Sequence, residues 1–359
     1  MKRIFLSLIA AATAVGAFAQ VDYNRQGPLS DKGFNIVLLG DPQNYTKFDS
    51  NQPVFDLMMA WTQHHLDTLN VKAVLCTGDL VDQNENIVPP FPRFANLPSE
   101  MQWQYISKEF ERLDNRVPYL ISTGNHDYGY LRSENSMTRF PDFFKPDRNW
   151  NQWGKTLVST FPNRNGNQSL ENAAMEITDP NWSKLLIIVA EFAPRDEVLD
   201  WAKKLCESDK FKDHKVIFMT HSYMTGFDAR RYVKEHYKIQ PANSGEQIWQ
   251  KLIYPTKNIL LVLCGHYAKP NERYDYTTGF RTDKNIAGRD VHQMMFNCQG
   301  IGGGMSGNGG EGFLRLLEFM PDGKTVEVRT YSPLFGYSAQ TKHLAWRNEP
   351  YDRFSFVLK

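Results

Sequence analysis

Short runs of apolar residues recur along the chain: Ile36 to Leu39, Ala73 to Cys76, Tyr119 to Ile121, Leu185 to Val189, Val216 to Met219 and Ile259 to Leu263. Runs this short, apolar at every position, predict central strands of a sheet covered on both faces. Between them the spacing turns helical. Val54, Leu57, Met58, Trp61, Leu66 and Leu69 line one broad face over 54–69. A second helix is expected from Ser99, where Ser99 and Gln102 match a capping box after Pro98. A third follows Pro194 with Val198, Leu199, Ala202 and Leu205 inward, and a fourth runs from about Ser244 through Ile248, Trp249 and Leu252.

The last third changes character. Strand-like segments at Val291 to Cys298, Phe313 to Phe319, Val326 to Tyr331 and Phe354 to Leu358 follow one another without a comparable helix, and Pro321-Asp322-Gly323-Lys324 is a hairpin signal. A βα-alternating start with an antiparallel ending predicts an α/β fold of two facing sheets with helices outside. No internal repeat occurs, and Gly300 to Gly312 is the one glycine-rich stretch.

Composition adjusts this picture at the amino end. Lys2 and Arg3 precede an apolar run from Ile4, and Ala17-Phe18-Ala19 stands before Gln20. That pattern is expected of a cleaved secretory leader over 1–19, with a polar strap over 20–33, and it implies an exported protein, periplasmic or extracellular. No later run is long and apolar enough for a membrane span. Without Lys2 and Arg3 the 41 basic residues become 39 against 40 acidic ones, a near-neutral balance that gives no sign of a nucleic-acid-binding module. Oligomeric state is not readable from the sequence. Of Cys76, Cys206, Cys264 and Cys298, three sit in or beside apolar strands, where a buried thiol is a better reading than a disulfide, and none has zinc-ribbon spacing.

Five apolar runs end alike. Leu39 leads into Gly40-Asp41-Pro42-Gln43, Cys76 into Thr77-Gly78-Asp79-Leu80-Val81-Asp82, Ile121 into Ser122-Thr123-Gly124-Asn125-His126-Asp127, Met219 into Thr220-His221, and Cys264 into Gly265-His266. Side chains beyond the carboxyl ends of strands converge in α/β sheets. The resulting set of carboxylate, amide and imidazole donors without thiolate suits an open, catalytic site for Mn²⁺, Fe or Zn²⁺.

In this order, Asp-x-Gln, Gly-Asp-x-x-Asp, Gly-Asn-His-Asp, Thr-His and Gly-His resemble the motifs of the calcineurin-like (purple acid phosphatase-like) metallophosphoesterases. The resemblance spans about Phe34 to Ser332. Gly309 to Arg315 and Thr330 to Pro333 are similar to segments of secreted bacterial members. It implies a four-layer αββα sandwich, two facing mixed sheets flanked by helices, over 34–335, with 336–359 completing a sheet. It also implies two divalent cations that activate a water as hydroxide against a phosphate mono- or diester. Asp79 would bridge them, Asp41 and Gln43 would serve the first, and Asn125, His221 and His266 the second. His126 would contact the phosphoryl group or protonate the leaving group, with Asp127 orienting it, while Asp82 would be a supporting carboxylate.

Two departures bear on the first cation. The family's Gly-His-x-His is here Gly265-His266-Tyr267-Ala268, and Gln43 offers an amide where imidazole is common. The first cation is therefore expected to be held more weakly. Water or substrate fills the vacancy, another side chain such as His292 swings in, or one tight and one exchangeable cation suffice; the first and third are preferred. The rival reading is a non-catalytic or single-metal binding protein on the same fold. A serine hydrolase gains little, because Asn308 spoils the Gly-x-Ser-x-Gly pattern around Ser306.

Overall fold

The computed structural model describes residues 24–87, 95–269 and 273–359; the leader expected over 1–19 lies outside them. In chain order the strands are β1 (Phe34–Leu39), β2 (Val71–Cys76), β3 (Tyr119–Ile121), β4 (Leu157–Thr160), β5 (Ala173–Asp179), β6 (Ser183–Val189) and β7 (Lys215–Met219). They continue with β8 (Ile259–Cys264), β9 (Thr278–Lys284), β10 (Asp290–Phe296), β11 (Leu314–Phe319), β12 (Thr325–Tyr331), β13 (Trp346–Arg347) and β14 (Phe354–Val357). One seven-stranded sheet runs β13-β12-β11-β1-β2-β3 with β14 also on β12, and the other runs β4-β5-β6-β7-β8-β10-β9. Each has a parallel centre, β1 to β3 in the first and β6, β7, β8 and β10 in the second, with antiparallel strands outside.

Alternation along the strands builds the layers. Leu185, Ile187 and Val189 join a core shared with β1, β2 and β11, whereas Leu186 and Ile188 pack with Val198, Leu199, Ala202 and Cys206 of the helix Asp196–Glu207. Side chains of the helices Gln52–His64 and Ser99–Glu111, among them Phe55, Met58, Trp103 and Phe110, enter the core of the first sheet. The result is an αββα sandwich. Each fully buried side chain of this size contributes about 1.5–3 kcal/mol, so both sheets are firmly held where their carboxyl edges meet. All four cysteines are buried and free. No helix among the described residues is long and apolar enough to cross a membrane.

Three expectations are corrected. The first helix stops at His64, and Leu66 and Leu69 are buried in the turn that follows. Ser99 and Gln102 form no capping box: the Ser99 hydroxyl accepts from Asn86 N at 2.6 Å, and Gln102 Oε1 accepts from Asp82 N at 2.9 Å, so both tie down the loop after β2. β10 is not part of an antiparallel ending. The chain crosses over after β8, forms β9 at the edge and returns as a hairpin, which lays β10 parallel to β8 with Met295 opposite Cys264.

Candidate metal centre

The parallel centres deliver their side chains to one place. Asp41 follows β1, Asp79 follows β2, Asn125 to Asp127 form a turn after β3, His221 follows β7 and His266 follows β8. Asp79 and His266 have positive φ, 51° and 66°, a conformation costly for residues with a side chain and retained where surroundings impose it. Gly124 and Gly265 are demanded by closeness: a Cβ on the first would collide with Asp79 Oδ1, and on the second with Asp41 Oδ1 and Thr77 Oγ1.

At the centre of the cluster the donors face one another. His221 Nε2 lies 3.2 Å from Asp79 Oδ2, 3.2 Å from Asn125 Oδ1 and 3.2 Å from His266 Nδ1, and His266 Nδ1 is 2.8 Å from Asn125 Oδ1. His221 Nδ1 is committed to Thr77 O at 2.9 Å, so a proton stays there and Nε2 is the nitrogen turned inward, the one that gives up its proton to a bound cation. Burial lowers the His266 imidazole to about 3, assisted by His221 beside it. Burial also works against charge on His221, yet Asp79 and Asp41 raise it to about 9. Burial opposes ionisation of Asp79 as well, but His221 and His126 draw its carboxyl well below the usual range.

The residues fit divalent cations. Asp79, His221 and His266 bring ligand atoms within 4.8 Å of one another. Gln43 donates Nε2 to Asp79 Oδ2 at 3.1 Å, and its Oε1 is buried with no hydrogen-bond partner. A buried acceptor without a donor is costly unless a cation completes it. Asp41 is fully packed about: Oδ1 accepts from Thr77 Oγ1 at 2.7 Å, and Oδ2 from Asn297 Nδ2 at 2.6 Å, His266 N at 2.9 Å and Gln299 Nε2 at 3.2 Å. Burial, with Asp79 adding to it against His221, raises the Asp41 carboxyl to about 7.

Among the expected site residues, Asp41, Gln43, Asp79, Asn125, His221 and His266 are brought together, and His126 stands beside them. The role expected of Asp127 is corrected. Its Oδ1 accepts from Leu80 N at 2.8 Å and Val81 N at 3.1 Å, and its Oδ2 from Gly124 N at 2.7 Å. With both oxygens used to knit two loops, Asp127 does not orient His126. That task falls to the carbonyl of Asp82, 2.6 Å from His126 Nδ1, with the Asp82 carboxylate at 3.5 Å and paired to Lys47 at 2.9 Å. His292 does not reach the centre: Thr282 Oγ1 at 2.8 Å and Val357 O at 3.0 Å hold its two nitrogens. Asn297 and Gln299 are the residues that sequence reasoning passed over. Phe296 leading into Asn297-Cys298-Gln299-Gly300 has the same form as the five recognised strand exits.

Above the cluster is a chamber of about 290 Å³ lined by Asp79, Asn125, His126, Arg132, Tyr237 and His266 among others. It shares Gln43, His126, Arg132, Ala268 and Gln299 with an adjoining pocket of about 560 Å³, which Leu131 and Met305 make partly apolar. Arg132 is exposed and its guanidinium makes no ion pair among the described residues.

Residues 34–270 match the model of the calcineurin-like phosphoesterases. "Uncharacterized protein YvnB" of Bacillus subtilis is 27% identical over 301 residues, covering 84% of this chain and 20% of that protein, so the chain spans about a fifth of the length of the curated relative it matches. A dimetal phosphatase from Danio rerio superposes over 92% of this chain and 100% of its own, with a TM-score of 0.50 at 11% identity. GAP50, the anchor in the inner membrane complex of Plasmodium, covers 91% of this chain and 89% of its own at 11% identity with a TM-score of 0.46. At 11% identity the Danio rerio structure speaks to fold alone.

Proposed function

Because the chain belongs to the calcineurin-like phosphoesterase family, we propose that it hydrolyses a phosphate mono- or diester at a dinuclear centre held by Asp41, Gln43, Asp79, Asn125, His221 and His266. The observation that carries this is the convergence of Asp79, His221 and His266 beneath a chamber lined by His126 and Arg132. The cations, when bound, lower the pKa of water and offset phosphoryl charge.

The chain's own groups supply the rest. Asp79 joins the two halves of the centre, since its carboxylate lies between Gln43 and His221. Nδ1 of His126 is fixed against Asp82 O, and Nε2 is left for the chamber, where an Nε2–H donates to a phosphoryl oxygen or passes its proton to the leaving oxygen. Arg132 at the mouth attracts the anion and orients it. The adjoining pocket takes the organic part of the ester. Export to the periplasm or medium belongs to the same proposal, supported by the leader-like pattern over 1–19.

The test is hydrolysis of paired chromogenic phosphate mono- and diesters by Mn²⁺-loaded protein, with Asn125→Ala as the control. Turnover abolished by the substitution and by chelator is expected. Equal rates for protein and control would sink the reading. Ala268 favours one alternative, a single-metal binding protein, which requires one tightly held ion and no ester turnover.

A further inference from the structure

Resting on the metal reading above, we propose that Gln299 takes over from the histidine that Ala268 replaces. The first cation is then held by oxygen atoms alone, from Asp41, Gln43, Asp79 and Gln299. Such a position accepts a hard divalent cation such as Mn²⁺ or Mg²⁺, while His221 and His266 give the second position a softer donor set.

Gln299 is built into place. β10 runs parallel to β8, so its exit rises beside that of His266 and Ala268. The backbone of Gln299 is pinned on both sides: its N–H donates to Asn297 Oδ1 at 3.0 Å and its carbonyl accepts from Asn44 Nδ2 at 3.0 Å. The side-chain amide then stands 3.2 Å from Asp41 Oδ2, on the wall that also carries Gln43 and Ala268. A half-turn of a terminal amide exchanges its nitrogen for its oxygen at nearly the same points in space. With that exchange Gln299 stops donating to Asp41 and offers an acceptor beside Asp41. The buried, unpartnered Oε1 of Gln43 is a second amide oxygen awaiting the same charge. Two neutral amides in place of imidazoles give a weak but oxygen-selective site, since imidazole favours zinc far more than an amide does.

The test is calorimetric titration of metal-free protein with Mn²⁺ and separately with Zn²⁺, on wild type, Gln299→Ala, Gln299→Glu and Ala268→His, with ions counted per chain. Two ions are expected, the weaker site showing a Zn²⁺-to-Mn²⁺ affinity ratio smaller by roughly tenfold or more than the tighter one. Gln299→Ala should weaken that site about 10–100-fold and leave the tighter one intact. Gln299→Glu should strengthen it; a carboxylate that merely neighbours Asp41 would repel it and weaken binding instead. Ala268→His should raise the site's zinc ratio. A weaker site unmoved by Gln299→Ala, weakened by Gln299→Glu, or a single ion in wild type would each overturn the inference while the tight site stands. If no ion binds at His221 and His266, the phosphoesterase reading falls with it.

Discussion

Adjacent in sequence, His126 and Asp127 do unrelated things. The ring of His126 lines the chamber with Nδ1 fixed on Asp82 O, and the hydrogen bond that His126 gives Asp79 Oδ1 at 2.9 Å comes from its backbone N–H, which alanine keeps. His126→Ala is therefore expected to lower kcat by about 10²–10⁴-fold with the ion count unchanged, as steady-state rates and metal analysis on the same sample would show. Asp127 is completely buried and receives three backbone N–H groups. Asp127→Asn turns one of those acceptors into a donor facing a donor, at a cost of about 1–3 kcal/mol. The variant should unfold at lower urea concentration yet keep the shape of the wild-type pH–rate profile. A shifted acidic or basic limb would mean that Asp127 does act on the histidine.

At the scale of the element, each strand exit is a tight turn that must pass another exit closely. Gly265 shows the constraint most sharply, because a Cβ there would run into Asp41 Oδ1 and Thr77 Oγ1. Gly265→Ala should push Asp41 out of position, and the loss of bound metal, read by elemental analysis, should exceed any loss in thermal stability. These exits were readable in the sequence because apolar run and donor are contiguous, so one short window contains both the strand and its cargo. What escaped was set by contacts remote in sequence. Ser99 and Gln102 carry the signature of a cap but spend their hydrogen bonds on the loop at 82–86, which no local pattern announces. Asp82 holds His126 through a carbonyl, a group every residue has. The direction of β10 depends on the crossover before it, and with β10 read as part of an antiparallel ending, nothing marked Asn297 and Gln299 as an exit toward the centre.

At the scale of the whole molecule, the two sheets are locked at their carboxyl edges by polar groups. Ser122 Oγ donates to Ala190 O at 2.8 Å and Phe192 N to Thr123 Oγ1 at 3.2 Å, joining the exits of β3 and β6. Thr123 continues to Tyr128 at 2.8 Å, and Tyr128 donates to Glu171 Oε1 at 2.9 Å. Glu171 is buried and, among the described residues, has no cation paired to it; Asn163 and Ser169 supply its other hydrogen bonds, while Arg195 pairs with Glu191. Burial, and then the charge of Glu191, raise the Glu171 carboxyl to about 7 from 4.5. A carboxyl raised on folding binds its proton more tightly in the native state, so its contribution is full below about 4.5 and is lost as pH rises through about 7. The shift corresponds to a few kcal/mol, or a melting difference of about 5 °C. Glu171→Gln mimics the protonated form at every pH. The melting temperature of metal-loaded wild type should therefore fall relative to Glu171→Gln between pH 5 and 8, whatever cation binding does to both. Parallel curves would show that Glu171 is already ionised at acidic pH, with its three neutral donors enough to hold the charge.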